Sequence, residues 1–415
     1  MKRVVIQPWL AEKNLYACCF LLLTAALAAA LVVPAYPKKI FYFVSYVVAL
    51  FLLVQGIRKR WIADKTALAV ALPLLFIGLV RLIWSRLFAH AAFSDVVDNY
   101  SQGGKLFIIA ALLSYFILSW RACLTRRLLG ISAIILFIGL LATLGAGLYE
   151  HFRTLQRIQL LTDSAGTVSY LITALALTTL YVSHQVVTQR LGQMALFLAV
   201  FALNMALMIL TESRAGILTL PLLYLAYFSL THRWAGKITL AGLAAAVVIG
   251  LFLMPASVWQ RLDSIHNEVD SYQTNNNTSI GARFSIWKGG WHSVSWSLLG
   301  QSPDSRTAIA RTYIQQHERN NPEAWKNVMY HLHDDTLETL SLQGIAGLLS
   351  LLTFYLTLLV VAIRRGVPGL SLLPLAIVIF GLTDTVLIQS SSVMILALAI
   401  ILSYALMASP PQRSR

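Results

Sequence analysis

The chain has 415 residues, of which 58% are hydrophobic and 12% are charged, and its formal net charge at pH 7 is +15. Soluble domains carry about 25% charged residues, so this composition excludes an ordinary soluble protein. Apolar runs of about 17–22 residues recur along the chain, and each is long enough to cross roughly 30 Å of hydrocarbon. We therefore predict an all-α integral membrane protein.

The apolar runs predict about twelve transmembrane helices. In chain order they cover residues 15–35, 40–56, 66–84, 105–120, 128–148, 166–183, 191–210, 217–231, 238–255, 341–363, 369–386 and 388–408. The predicted organisation then has four parts. Residues 1–206 hold helices one to seven, and residues 207–255 hold a charged turn with helices eight and nine. Residues 256–340 form one long loop between helices nine and ten. Residues 341–415 hold helices ten to twelve and a cytoplasmic tail.

The distribution of Lys and Arg predicts the orientation. If the N-terminus is cytoplasmic, the inner segments hold 17 of the 32 basic residues, and every inner segment contains at least one. The short outer loops are much poorer, which is the positive-inside pattern. We therefore expect both termini in the cytoplasm and the long loop on the outer, periplasm-like side. Most of the net charge follows from this pattern, and no basic stripe with interleaved aromatic residues indicates a nucleic-acid partner.

A charged turn joins predicted helices seven and eight at the outer face. Its sequence, LMILTESRAGILTLP at residues 207–221, places Glu212 and Arg214 where a bilayer admits few charges, so a functional role is the first hypothesis. The structural alternatives are a local Glu212–Arg214 ion pair or an arginine that snorkels to the interface. Arg81 and Asp384 lie near the outer ends of other helices, where they could pair with each other or line the site, and a structural role is favoured.

The long loop holds nine of the 17 acidic residues and five of the nine histidines. Its stretch ARFSIWKGGWHSVSWSLLG has aromatic and apolar residues at helical spacing, which is typical of amphipathic helices on a membrane face. The following stretch, TAIARTYIQQHERNNPEAWKNVMYHLH, predicts a helix that ends near residues 320–322 and then a second short helix. A loop of this length is usually functional. Arg283 stands in the first stretch, where binding of a lipid phosphate is the simpler explanation.

The loop ends in HLHDDTLETLSLQGIAG, residues 331–347. His331, His333 and Asp335 fit an H-x-H-x-D pattern that binds metal in many hydrolases, but further ligands are lacking nearby and no D-x-D motif is present, so we expect no metal ion. Asp335 and Glu338 resemble a capping box, which predicts a helix start there. His333 would then face the positive end of a helix, which favours the neutral imidazole that a general base requires. The alternative is that both histidines only decorate a loop.

Two arginines and a neutral histidine at one membrane face suggest a single chemistry. Arginines bind phosphates, often through two parallel hydrogen bonds, and would stabilise a lipid pyrophosphate as it leaves. His333 would remove the proton from an acceptor hydroxyl. The residues therefore predict an inverting glycosyl transfer from a lipid-linked donor, with no cofactor.

Three motifs in this region resemble those of the O-antigen ligase and polymerase family. TESRAG resembles its S-R-[AG]-G element. RFSIWKGGWHSVSWSLLGQSPD resembles its R-x-x-x-W…PLLG-x-G segment, with QSPD in place of G-x-G. HDDTLETLSLQGIAG resembles its H-[NSQ]-x₉-G-x-x-[GTY] signature through His333, Gly344 and Gly347, with Asp334 where Asn, Ser or Gln is usual. The resemblance covers residues 207–350, about a third of the chain.

The resemblance implies a ligase that moves O-antigen polysaccharide from undecaprenyl pyrophosphate to the lipid A–core oligosaccharide. It implies a GT-C-like fold in the inner membrane of a Gram-negative bacterium, in contact with membrane lipids, with a periplasm-facing site and no metal ion. Carried onto this chain, it makes His333 the base and Arg214 and Arg283 the pyrophosphate ligands. His331, Asp334 and Glu212 are the candidate supporting residues.

Three other functions remain as alternatives. An O-antigen polymerase and a protein O-oligosaccharyltransferase belong to the same group and use related motifs. A secondary transporter is the alternative from another class, and it predicts two six-helix halves with ionisable groups near the middle of the membrane.

Overall fold

The computed structural model describes residues 10–162, 164–231, 256–319 and 321–407, and at residues 10, 257, 258 and 261 it describes the backbone alone. Every regular element within these ranges is a helix. Eight α-helices precede residue 232: α1 (Leu10–Ala29), α2 (Tyr36–Ile57), α3 (Lys65–Leu87), α4 (Ser94–Ser119), α5 (Arg126–Thr154), α6 (Ala165–His184), α7 (Arg190–Thr211) and α8 (Arg214–Thr231). Seven follow residue 255: α9 (Ala256–Asp270), α10 (Ser279–His292), α11 (Pro303–His317), α12 (Pro322–Asn327), α13 (Asp335–Arg364), α14 (Leu372–Gly381) and α15 (Ser390–Tyr404). Short 3₁₀ turns lie at Arg121–Cys123, Ser271–Gln273 and Pro368–Ser371.

Nine of the described helices, α1 to α8 and α13, are long and apolar enough to cross a membrane. Two shorter apolar helices lie at Pro368–Gly381 and Ser390–Tyr404. Together these eleven helices coincide with eleven of the twelve predicted spans. The remaining predicted span, residues 238–255, lies outside the described residues. An all-helical membrane protein is therefore confirmed, while the number of twelve spans stays a prediction.

Polar side chains mark the starts of apolar helices. Asp64 accepts a hydrogen bond from the backbone nitrogen of Thr66 at the start of α3, and Ser164 does the same for Thr167 at the start of α6. The first turn of a helix has backbone N–H groups with no partner inside the helix, so such caps stabilise the end by about 1 kcal/mol. This explains why isolated polar residues interrupt the apolar sequence at these positions.

Helix α6 lies at the centre of the bundle. Its candidate membrane span is 94% buried, against 33% for α5 and for α7. It packs against α5, α7, α14 and α15. A helix that is apolar on every face is expected to be surrounded by others. The outer helices therefore surround α6 and expose their own apolar side chains.

The long loop folds into four helices, α9 to α12, with a small core of its own. Ile286 of α10, Ile314 of α11 and Leu332 before α13 are buried in it, and Leu337 of α13 packs on it. The helices predicted within residues 282–300 and 307–333 are thus present. Because Leu337 belongs to a membrane-crossing helix, this core fixes α10 to α12 onto one end of the bundle.

Two glycines join the loop to α13. Gly344 has a φ of +63° inside α13, and Gly300 has a φ of +72° in the loop. A Cβ on Gly300 would lie 1.9 Å from the carbonyl oxygen of Leu342, and a Cβ on Gly344 would lie 2.3 Å from that of Ser297. Helix α13 opens there, and Ile345 donates its backbone N–H to Ser297. Only glycine tolerates both the positive φ and this close approach.

Candidate active site

Several helix ends meet around one cavity of about 470 Å³. The cavity lies where α4, α6, α8 and α10 begin and where α5, α7 and α14 end. The beginning of a helix carries partial positive charge and exposed N–H groups, so helix starts favour a bound anion. This end of the bundle is the one that the distribution of Lys and Arg predicts to face outward.

Charged side chains from distant parts of the chain line this cavity. Three arginines, two histidines and three acidic residues contribute: Arg157, Arg214, Arg283, His331, His333, Asp95, Glu212 and Asp384. The structure thus brings together five of the six residues that the sequence singled out. The sixth, Asp334, lies behind His333 on a neighbouring cavity.

His333 is paired with Asp384. Nδ1 of His333 lies 3.2 Å from Oδ1 of Asp384, and the side chains are 22% and 19% exposed. Burial by itself raises the pKa of Asp384, but the hydrogen bond from His333 and the positive charges nearby outweigh it and hold that pKa well below its usual range. An ionised carboxylate only accepts hydrogen bonds, so Nδ1 carries the hydrogen. In the neutral ring Nε2 then keeps its lone pair, as a general base requires.

The second histidine, His331, packs against the first. The two ring centroids are 4.2 Å apart in an edge-to-face arrangement. Burial, reinforced by the neighbouring His333, lowers the pKa of His331 to about 3. Its ring is therefore neutral near pH 7, and it shapes the position of His333 without adding charge to the cavity.

The helix starts where it was predicted to start, but the predicted capping box of Asp335 and Glu338 is wrong. Asp334 is the residue that caps α13, because its Oδ1 accepts the backbone N–H of Leu337 at 2.7 Å. Asp335 is buried and accepts from the Tyr355 hydroxyl, and Glu338 binds Arg306. Asp, Asn and Ser are the strongest helix N-caps, so Asp334 caps the helix as well as Asn or Ser would at this position, where the motif has Asn, Ser or Gln.

The three residues of the H-x-H-x-D pattern do not come together in the structure. Asp335 turns away from the histidines toward Tyr355 and the backbone of Leu387. A different set, His331, His333 and Asp384, has ligand atoms within 4.8 Å of one another, so three side chains could approach one metal ion. Metal independence therefore stays a prediction that requires a chelation experiment.

Arg214 has a partner that the sequence did not reveal. A local Glu212–Arg214 ion pair was one structural alternative, but the ion pair that the described residues show for Arg214 is a different one. Instead Nη2 of Arg214 donates to Glu268 and to Ser264 of α9, both at 2.7 Å. Burial raises the pKa of Glu268, but hydrogen bonds from Ile280 and Arg214 lower it to a net value below normal. Arg214 is thus oriented by α9 toward the cavity, and its Nε forms no hydrogen bond within the described part of the chain.

Arg283 differs from Arg214 in having no ion-pair partner among the described residues. It is the fifth residue of α10 and lines the cavity, and its side chain forms no ion pair with any residue of the described ranges. Arg283 and Asp384 line the same cavity, and the positive charge of Arg283 contributes to the low pKa of Asp384. Arg283 therefore presents a positive charge to this cavity.

Sequence reasoning missed Arg157, and for Asp384 it left open a pair with Arg81 or a place in the site, of which the structure shows the second. Arg157 follows α5, and it lies outside the three motifs. Arg81 does not pair with Asp384, because it is buried and donates to the carbonyl oxygen of Leu387. A polar break between two apolar runs marked Asp384, but the contact with His333 spans 51 residues of sequence. No local pattern could have indicated it.

Comparisons with known proteins agree with these motifs. Residues 197–352 match the family model described as O-antigen ligase. The chain is also 25% identical over 375 residues to a protein named O-antigen ligase from Escherichia coli strain K12, which covers 88% of this chain and 87% of that protein. Arg214, Arg283 and His333 all fall within the matched range. The resemblance inferred from the three motifs is confirmed.

Proposed function

We propose that this chain, whose resemblance to the O-antigen ligase family is established, transfers O-antigen polysaccharide from undecaprenyl pyrophosphate to the lipid A–core oligosaccharide. We place this GT-C-like enzyme in the inner membrane, with its site at the periplasmic face. One observation carries the proposal. A histidine paired with a carboxylate opens into the same cavity as three arginines.

The arginines fit the pyrophosphate of the donor. Arg283 lines the cavity without an ion pair to any residue that the structure describes, and Arg214 keeps a donor that its contact with α9 does not use. The helix starts around the cavity add further partial positive charge. Charge grows on the pyrophosphate as the bond to the sugar breaks, so prearranged cations stabilise the transition state more than the bound donor.

His333 fits the base. Nε2 would take the proton of an acceptor hydroxyl as the oxygen attacks the anomeric carbon, and the pyrophosphate would leave from the opposite side. This single displacement inverts the anomeric centre. Asp384 would hold the ring in the right tautomer and stabilise the imidazolium that forms.

Transfer with purified components tests the proposal. The assay combines the protein, a lipid-linked glycan and lipopolysaccharide that lacks O-antigen, with and without EDTA. We expect transfer in both conditions, and His333→Ala should lower the rate by about 10²–10⁴-fold because the general base is lost. His266→Ala serves as the matched control, since that side chain is 79% exposed on α9. A near-normal rate in His333→Ala would reject the role of His333, and loss of transfer in EDTA would reject metal independence.

The identity of the acceptor distinguishes the proposed ligase from an O-antigen polymerase, its nearest alternative. A polymerase would extend a second lipid-linked repeat, whereas the proposed ligase uses the lipid A–core. Offering both acceptors in one assay decides between them.

A further inference from the structure

A second cavity, of about 770 Å³, lies behind the segment that carries His333. His333 and Thr383 line the first cavity, whereas their chain neighbours Asp334 and Leu382 line the second. Adjacent residues on two segments therefore line different cavities, and the segment that carries the candidate base lies between the two. An enzyme that joins two substrates needs this kind of arrangement.

Aromatic rings form one side of this second cavity, which we call the aromatic groove. It is defined by Trp287, Trp291, His292 and Tyr313. The Trp291 side chain is 58% exposed, and the rings of His292 and Tyr313 lie 4.2 Å apart. Flat aromatic faces attract the C–H faces of sugar rings and leave the sugar hydroxyls free at the edges. The exposed rings therefore fit a carbohydrate better than they fit an anion.

A hydrogen-bond donor in the groove lacks a partner. Nε1 of Trp287 is buried and forms no hydrogen bond with any described residue. Buried donors in folded proteins are nearly always satisfied, so this one is a candidate for a ligand oxygen. The Asp334 carboxyl lies at the groove edge next to His333 and could accept from a ligand hydroxyl.

The other side of the groove is apolar. It is formed by Leu337 and Leu340 of α13 and by Leu382 after α14, and the Leu382 side chain is 51% exposed. These residues lie at the ends of apolar helices, where a membrane surface is expected. A ligand with both sugar rings and lipid chains could thus enter from the bilayer and place its sugars against the aromatic side.

We propose that the aromatic groove binds the terminal sugars of the acceptor glycolipid, while the arginine-lined cavity binds the donor. This inference rests on the proposed function. The acceptor hydroxyl would reach His333 from the groove and give its proton to Nε2. Its oxygen would then bond to the anomeric carbon as the carbon–oxygen bond to the pyrophosphate breaks, and the pyrophosphate would keep the electron pair.

Kinetics with two substituted tryptophans test the groove. Trp291→Ala removes an exposed ring, and Trp287→Phe removes the unpaired N–H but keeps a ring. Initial rates are measured against varied acceptor at saturating donor, and against varied donor at saturating acceptor. We expect the acceptor KM to rise about tenfold in Trp291→Ala, as for the loss of one aromatic contact, with the donor KM and kcat unchanged. Trp61→Ala is the matched control, because Trp61 is 61% exposed outside the groove.

A binding experiment keeps this test separate from the proposed function. Protein in phospholipid nanodiscs without donor is titrated with lipopolysaccharide that lacks O-antigen, and in parallel with lipid A that lacks core sugars. Weaker binding of the first in Trp291→Ala and Trp287→Phe, with lipid A unaffected, supports the groove even if no transfer occurs. Unchanged acceptor KM and unchanged binding in both variants would overturn the inference, while leaving donor transfer intact.

Discussion

Two groups of arginines lie within a few helical turns of each other and differ in their surroundings. Arg214 and Arg283 line the first cavity, and the Arg214 side chain is 19% exposed. Arg81 and Arg306 lie in a buried layer beneath, with exposures of 1% and 0%. Arg306 is held by Glu338, and Arg81 by a backbone carbonyl and two aromatic rings. Arginines near the same membrane face thus differ in access: one group can meet a ligand in the cavity, and the other is enclosed by the protein.

The buried layer also positions the site. Glu338 accepts the N–H of Leu332 as well as the Arg306 ion pair, so α11 and α13 together hold the backbone just before His333. His333 itself has a φ of +53°, which is uncommon for a residue with a Cβ. The surrounding contacts maintain this conformation and direct the ring toward Asp384. The buried ion pair between Arg306 and Glu338 thus helps to fix the backbone at Leu332, directly before the candidate base His333.

The largest predicted effect is on the buried layer. Arg306→Ala leaves Glu338 as an unpaired buried charge, which should cost about 3–5 kcal/mol of stability. Thermal unfolding in detergent measures the loss. The double variant Arg306→Met with Glu338→Met removes both charges and should be less destabilised than the single one. A single variant as stable as the wild type would contradict the structural role of this pair.

The second largest predicted effect is on the rate of transfer, and it comes from Arg283 in the first cavity. Arg283→Ala should leave the unfolding temperature unchanged, because the side chain forms no ion pair within the described part of the chain, yet lower kcat by about 10²–10³-fold through loss of charge stabilisation. Transfer assays at saturating donor measure the change. Lys326→Ala removes an exposed positive charge from the same loop and should keep the full rate. Equal rates in the two variants would remove Arg283 from the site.

The smallest predicted effect is a pH dependence of stability, and it comes from His331, which is influenced by arginines of both groups. His331 has its pKa lowered to about 3 from an ordinary value of 6.5, and both Arg306 and Arg283 contribute to that shift. Between these values the unfolded chain binds the extra proton, so stability decreases as pH falls below about 6.5, by at most about 1.4 kcal/mol per pH unit. His331→Asn should flatten this slope. Unfolding temperatures from pH 7 to 4.5 measure it, and identical slopes would show that another group titrates.

Much of the fold was predictable because each helix follows from a local pattern. Long apolar runs placed eleven helices at positions that the structure confirms, since a backbone in hydrocarbon must satisfy its own hydrogen bonds and a helix does so within a single segment. The amphipathic spacing in residues 282–300 likewise indicated a helix there. Motif spacing indicated Arg214, Arg283 and His333, and the structure places all three on one cavity.

The remaining features depended on contacts between distant residues. The sequence by itself determined the helical membrane class, the positions of most spans and the three motif residues, because hydrophobicity and short spacing are local properties. Only the tertiary structure decided that Asp384 pairs with His333, that Arg214 binds Glu268, that Asp334 and not Asp335 caps α13, and that Arg157 joins the cavity. Hydrogen bonds and ion pairs depend on side-chain direction to within a few ångströms, and the packing of the helices sets that direction.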